Sequence, residues 1–367
     1  MVRGRGLVFI GITALVVACQ VLAGLEDRHV GVVTPVSDAG DAAPLDPCSL
    51  LGTPPRPGAQ TSSPGDALTI TLALSRVDFG LKPDAGVFGL NLDTTCTCPG
   101  QDSCRRPPDA GRSCDDDGGI DNAARTIFQK VNLLAPASTE DLANDALAKG
   151  LYGALLQVRK YNGKADDSAV DVAVYSSLGT EGSATPLLNG NDKWTIDSTS
   201  VKGPNQDAVT VDTGAFVSGG VLVMSIGIPI QISTGSGATL TTITIPLEYS
   251  YVAGKLQQSN GVWTLSAVLA GRWVAAKLLG SFSTLNDPNG DPLCGQNVYY
   301  QALKNEVCKA VDLPARADQD KSGQPCNALG TGLHFDAVEA KLGTVGVRPP
   351  DKDAGCGNNW TDDCPSF

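Results

Sequence analysis

Alternation of apolar with small or polar residues recurs along this chain and constrains its fold more than any other feature. In Leu68-Thr69-Ile70-Thr71-Leu72-Ala73-Leu74 the alternation is strict. A repeat of two puts successive side chains on opposite faces of a pleated strand, so each such segment reads as a strand with one face to bury. The pattern returns at Val170, Val172 and Val174, at Ile226, Ile228, Ile230 and Ile232, and at Trp263, Leu265, Ala267 and Leu269. Its clearest run places Ile243, Ile245, Leu247, Tyr249 and Tyr251 on one face against Thr242, Thr244, Pro246, Glu248 and Ser250 on the other. One-sided strands need a covering layer, and the 42 Gly and 23 Pro of the chain supply turns between them. The expected fold is therefore mainly β: a single β-sandwich of jelly-roll type with disulfide-stapled loops. Pro229 and Pro246 lack a backbone donor, so their strands are expected at an edge or a bulge.

One or two peripheral helices are expected beside the strands. Ser138-Thr139-Glu140-Asp141 offers a cap and an acidic first turn, with Leu142, Ala146, Leu151, Ala154, Leu155 and Val158 on the inner side. A second helix is expected from Val298 to Val311, where Tyr299, Leu303 and Val307 recur at four-residue steps.

The N-terminus has a different character. Arg3 and Arg5 precede an uncharged apolar run from Leu7 to Ala18, too short for a stable membrane-spanning helix and suited to a signal peptide. The run ends in Val16-Val17-Ala18-Cys19, which resembles the lipobox of bacterial lipoproteins. The resemblance implies cleavage before Cys19, lipidation of its sulfur and a tethered chain. In that family an Asp directly after the Cys holds the product in the inner membrane, and Gln20 departs from it, which implies an outer-membrane address facing the periplasm or the surface. The body resembles secreted β-sandwich lipoproteins. The expected division is 1–18 signal peptide, 19–62 lipidated Cys and flexible tether, 63–345 β-sandwich domain and 346–367 disulfide-tied tail. The tether is read from Asp-Ala-Gly and Pro-rich stretches such as Pro54-Pro55-Arg56-Pro57.

Of 11 cysteines, an even ten remain once Cys19 carries lipid, and an exported chain meets an oxidising compartment, so five disulfides are expected. Cys48, Cys96, Cys98, Cys104 and Cys114 precede the strand region, and Cys294, Cys308, Cys326, Cys356 and Cys364 follow it. Each group is odd. Complete pairing therefore requires at least one bridge between the two groups, which argues for one domain. The alternative for Cys96-Thr97-Cys98 with Cys104 and Cys114 is a four-thiolate zinc site.

The formal net charge is −12, and loss of the two signal-segment arginines takes it to −14. Nucleic acid is disfavoured as a partner, because neutralising phosphates needs clustered Lys and Arg. Only six of the 39 acids are Glu, and the Asp residues concentrate in loops. Calcium, the candidate ion, prefers several oxygens converging from one turn. Asp115, Asp117 and Asp121 lie in one such turn, and Asp318, Asp320 and Ser322 resemble the first half of an EF-hand loop, which then departs from the pattern with Leu329 in place of the bidentate Glu. Asp287-Pro288-Asn289-Gly290-Asp291 is as readily a plain turn.

Asp166 and Asp167, and Asp192 beside Trp194, combine acids with a nearby aromatic ring, which suits a sugar or simply closes hairpins. A Ser-His-Asp arrangement would have to be built on His334, since His29 lies in the tether. These features favour a non-catalytic, lipid-anchored envelope protein that binds a ligand, a glycan or a partner protein at the outer membrane. The alternatives are a tethered polysaccharide or peptidoglycan hydrolase and a purely structural envelope protein.

Overall fold

The computed structural model describes residues 51–59, 67–82, 85–97, 102–108, 110, 114–134, 138–226, 229–234, 241–348, 355–357 and 360–366. In chain order the elements are β1 (Leu68–Asp78), α1 (Ala124–Leu134), α2 (Thr139–Ala148), β2 (Gly153–Tyr161), β3 (Asp167–Thr180), β4 (Lys193–Asp197), β5 (Val201–Lys202), β6 (Asp207–Ala208), β7 (Thr210–Ser218) and β8 (Val221–Met224). There follow β9 (Pro229–Thr234), β10 (Thr241–Pro246), β11 (Glu248–Ser259), β12 (Val262–Val274), α3 (Ala275–Phe282), α4 (Val298–Ala310), β13 (Ala328–Glu339) and β14 (Lys341–Gly346). The expected signal segment, Cys19, Cys48, Cys98 and most of the expected tether lie outside the described residues.

The main sheet closes on itself. Around the order β1-β2-β3-β7-β8-β11-β12-β13 every strand pairs antiparallel with the next, and β13 returns to β1. This is an eight-stranded antiparallel barrel in which spatial order follows chain order, and it corrects the expected β-sandwich. Alternation could not separate the two, because every second residue faces the core whether a sheet meets a second sheet or its own far side. The deciding pairing is β3 with β7. β3 is 14 residues long; Asp167 to Val174 pair with β7, whereas Ser177 and Thr180 pair with β4, which takes β14 alongside.

Aliphatic side chains fill the interior, as suits a barrel of eight strands. Leu72 stands opposite Leu156, and Leu156 opposite Val174. Across the ring, Leu222 stands opposite Val217, Met224 opposite Val252, Val252 opposite Leu269 and Leu269 opposite Leu333, all buried. A second apolar cluster, Ala73, Leu155, Ala173, Tyr175, Trp194 and Ile196, lies on the opposite face of β1, β2 and β3 under β4. These three strands are thus buried on both faces.

Four helices are described, more than the one or two expected. α2 starts at its expected cap, where the Ser138 hydroxyl accepts the Asp141 N–H at 3.0 Å, but it ends at Ala148. Gly150 (φ +63°) stops it, and Ala154, Leu155 and Val158 belong to β2 instead of the helix. On α4 the buried face carries Tyr300, Leu303 and Val307, one position away from the expected Tyr299. α1 lays Phe128 between Phe79, just past β1, and Trp273, near the end of β12, at ring separations of 4.8 and 5.9 Å. The prolines behave as expected of non-donors: β9 and β10 pair only with each other, with Pro229 opposite Pro246. Among the described residues no helix is long and apolar enough to cross a membrane.

Three disulfides join described cysteines: Cys104–Cys326, Cys294–Cys356 and Cys308–Cys364; Cys96 is disulfide-bonded as well. The last two of the three tie the C-terminal tail to α4 and the segment before it. Cys104–Cys326 links the cysteine group before the strands to the group after them. With Cys96 and Cys104 oxidised, the four-thiolate zinc alternative has lost two of its ligands.

Replacing Cys104 and Cys326 by serine is expected to lower the unfolding free energy by about 2–5 kcal/mol. The loss should exceed that of the same change at Cys294 and Cys356 by about 1 kcal/mol, because a bridge spanning 222 residues restricts the unfolded chain more than one spanning 62. Equilibrium denaturation of the parent and the two variants makes the comparison, and equal losses would reject loop closure as the contribution of this bridge.

Candidate functional site

The alternation that should carry Tyr249 and Tyr251 into the core breaks at the start of β11. Pairing with β12 slips between Glu248 and Tyr251, the signature of a bulge. Ile245 and Leu247 remain buried, but Ser250 takes the next inward position, its hydroxyl donating to the Ile226 carbonyl at 2.7 Å. The bend is possible because Gly271 lies opposite; a Cβ there would come within 2.7 Å of Ser250 Cβ and 3.0 Å of Leu247 Cβ. Tyr249 and Tyr251 consequently point outward, 46% and 38% exposed.

Tyr249 has φ +44°, a left-handed conformation that costs an L-residue with a bulky side chain on the order of 1–2 kcal/mol. Glu248 holds the bend by pairing with Lys277 of α3. Arg316 lies within electrostatic range of Tyr249 and forms a two-pronged pair with Asp318, at 2.9 and 2.6 Å. That pair raises the Arg316 pKa and lowers that of Asp318. Two exposed rings, one of them near a planar guanidinium–carboxylate pair, offer both stacking and directional hydrogen bonds.

The acids singled out in the sequence are dispersed. Asp167 accepts the N–H groups of Asn162 and Ala169 at 2.8 and 3.2 Å, and Asp166 accepts that of Gly219 at 2.7 Å. Asp192 accepts those of Leu187 and Leu188 at 3.0 and 2.6 Å. The Asp167 and Asp192 bonds close turns and the Asp166 bond ties two loops together; the two acid loops stand at opposite ends of β3, since Asp167 begins the strand and Trp194 pairs with Thr180 at its end. Trp194 is 1% exposed, so its ring is core and offers no face to a sugar. The EF-hand-like segment is likewise committed: Asp318 to Arg316, Asp320 to Arg272 by two bonds of 2.6 Å, and the Ser322 hydroxyl to the Gln319 carbonyl. Asp287 closes its own turn on the N–H groups of Asn289 and Asp291.

The turn at Asp115 fares differently. Asp115 and Asp121, though not the exposed Asp117, join Asp93 and Asp312 in a group of acids that feel one another's charge. Each gives one oxygen to a backbone N–H: Asp93 to Thr95 (2.7 Å), Asp115 to Thr97 (2.8 Å), Asp121 to Leu92 (2.7 Å) and Asp312 to Gly330 (2.8 Å). Burial, reinforced by the neighbouring carboxylates, pushes Asp121 well above the carboxylate range and Asp312 up to about 7. Asp93 and Asp312 carry no local spacing signal; only the fold brings them to the Asp115 turn.

His334 lies on β13 with its ring against Phe88 at 5.3 Å. Its Nε2 is 2.9 Å from the Ser266 hydroxyl and 3.7 Å from Asp336. A relay needs the acid on the other ring nitrogen, so serine and aspartate sharing Nε2 do not make one. Burial lowers the His334 pKa against the opposing pull of Asp336 and Asp78, which keeps the ring neutral near pH 7.

The raised pKa of Asp312 gives stability a pH dependence of definite sign. Below about pH 4 the carboxyl is protonated in both the folded and the unfolded chain. Between there and about 7 only the unfolded chain releases its proton, so in metal-free buffer the contribution of Asp312 to stability should fall as pH rises through that window and level off above it. Asp312→Asn keeps the acceptor for Gly330 and should remove this component; thermal midpoints across the window check it, and an unchanged pH slope in the variant would reject it. The chain matches no known protein family, no curated protein and no solved structure.

Proposed function

We propose that this chain is a lipid-tethered, non-catalytic protein of the cell envelope, attached to the outer membrane through Cys19, that binds a glycan on the outer wall of its barrel. The observation that carries the binding reading is the tyrosine pair. Tyr249 and Tyr251 are exposed by a bulge whose backbone is strained, and strain retained at a surface aromatic is the mark of a residue selected for contact. With the interior occupied by Leu72, Leu156, Leu222, Val252 and Leu333, a ligand meets this protein on its outside. Sugar rings present apolar faces to tyrosine and vicinal hydroxyls to the Arg316–Asp318 pair. The lipobox supports the address, and disulfides in the body fit an oxidising compartment.

A glycan array probed with the purified chain is expected to reveal a ligand. Replacing both tyrosines, Tyr249→Ala with Tyr251→Ala, should weaken binding by about tenfold or more, at roughly 1 kcal/mol per lost ring. Equal binding by parent and double variant would remove this surface from consideration, and silence of the parent would overturn the glycan reading. The address is tested separately. Mass analysis of the processed chain should find Cys19 at the N-terminus carrying diacylglycerol, and Cys19→Ala should move the protein out of the membrane fraction. An unmodified thiol at Cys19 would end the lipoprotein reading.

A further inference from the structure

The acid group around Asp93 contains two oxygens sealed from water and without a hydrogen-bond donor: Oδ2 of Asp93 and Oδ1 of Asn91. Their orientation is fixed. The Asn91 side-chain amide donates to the Thr95 carbonyl at 2.6 Å, which turns its oxygen away, and the other oxygen of Asp93 holds the Thr95 N–H at 2.7 Å. Both orphaned atoms are acceptors on side chains whose other polar atom bonds Thr95, and Asp93 is only 3% exposed. A buried acceptor without a partner costs about 1–3 kcal/mol, more when it is charged, so this pair calls for a positive occupant.

Three described cations nearby are engaged elsewhere. Arg272 directs both terminal nitrogens to Asp320, the Pro314 carbonyl and the Leu92 carbonyl, and its Nε is sealed without an acceptor. Lys321 reaches the carbonyl and hydroxyl of Thr94 from the solvent side. Arg106 acts on Asp115 and Asp312, and its own Nε is sealed without an acceptor.

We propose that these orphaned acceptors bind one calcium ion, with Oδ2 of Asp93 and Oδ1 of Asn91 as ligands and Asp121 as the second carboxylate. Asp121 gives up its proton to the solvent when the ion enters. Among the described residues no three His, Cys, Asp or Glu side chains are grouped to hold a metal. The shell must therefore be completed by neutral oxygens, which calcium accepts and zinc does not. The site is distinct from the tyrosine surface and does not depend on what that surface binds. It shares Asp121 with the Asp115 turn legible in the sequence, whereas Asn91 and Asp93 lie outside both calcium loops.

The test is the thermal midpoint and calorimetric titration of the chelator-treated chain with calcium chloride. A single saturable site is expected, with a dissociation constant on the order of 10⁻⁴–10⁻³ M, as for extracellular calcium modules, and the midpoint should rise with calcium past that concentration. Asp93→Asn removes a carboxylate from a group of mutually repelling acids, so the variant should fold without calcium at least as well as the parent and show no calcium-dependent rise. Asn91→Asp should bind calcium several-fold more tightly while losing stability in chelator. A parent that shows no saturable response up to about 10 mM, ten times the weak end of that range, overturns the proposal. So does an Asp93→Asn variant that retains the full response, and should that variant fail to fold, an Asn91→Asp affinity unchanged from the parent does the same.

Discussion

Closure of the sheet between β3 and β7 is the constraint on which the remaining structure depends. Without it the ring would open, and the aliphatic interior from Leu72 to Leu333 would face water on one side. Closure also disposes of exposed edges, the chief liability of a long antiparallel sheet. It is achieved by dividing one edge of β3 between two partners, so that the barrel ends where the β4–β14 extension begins. The extension then covers the outer face of β1, β2 and β3, which accounts for a strand such as β1 burying Leu72 and Ala73 alike.

A second organising interaction lies on the outer wall. Arg272, on β12, is fully buried, and its guanidinium gathers two separate pieces of chain: Leu92, and the stretch that carries Pro314 and Asp320. A buried charge is tolerable only when paired and hydrogen-bonded in this way. It holds the segment after β1 down on β13, and β13 accepts that segment closely because it lacks side chains where the two meet. A Cβ at Gly332 would lie 2.1 Å from the Phe88 carbonyl oxygen. The acid group at Asp93, Asp121 and Asp312 forms at this contact.

The legible part of the fold was local. The alternation of β1, β3 and β12 and the cap at Ser138 declare themselves within a few residues, because period and capping chemistry are short-range properties. The end of α2 was not legible, since Leu151, Ala154, Leu155 and Val158 fit a helical spacing until Gly150 and the pairing of β2 with β1 and β3 override it. Barrel and sandwich share one pattern, and only long-range pairing separates them. The same reason hid the candidate sites. Tyr249 and Tyr251 read as core because a bulge shifts register without altering composition, and Pro246 was the one local hint of irregularity. Asp115 and Asp121 were visible as a cluster, whereas Asp93 and Asp312 become its neighbours only in the folded molecule.

Because spatial order follows chain order, the barrel can be assembled hairpin by hairpin until the last step, when β13 must find β1. No N-terminal portion of the chain can reach its native state by itself, since β1 and β12 both keep a bare edge until the final long strand arrives. The Cys104–Cys326 bridge fastens the flanks of that seam. Oxidation there before β13 has docked would join segments not yet in register. Late oxidation locks the circle once it is complete, so a productive order of bond formation is the order in which this topology can be built.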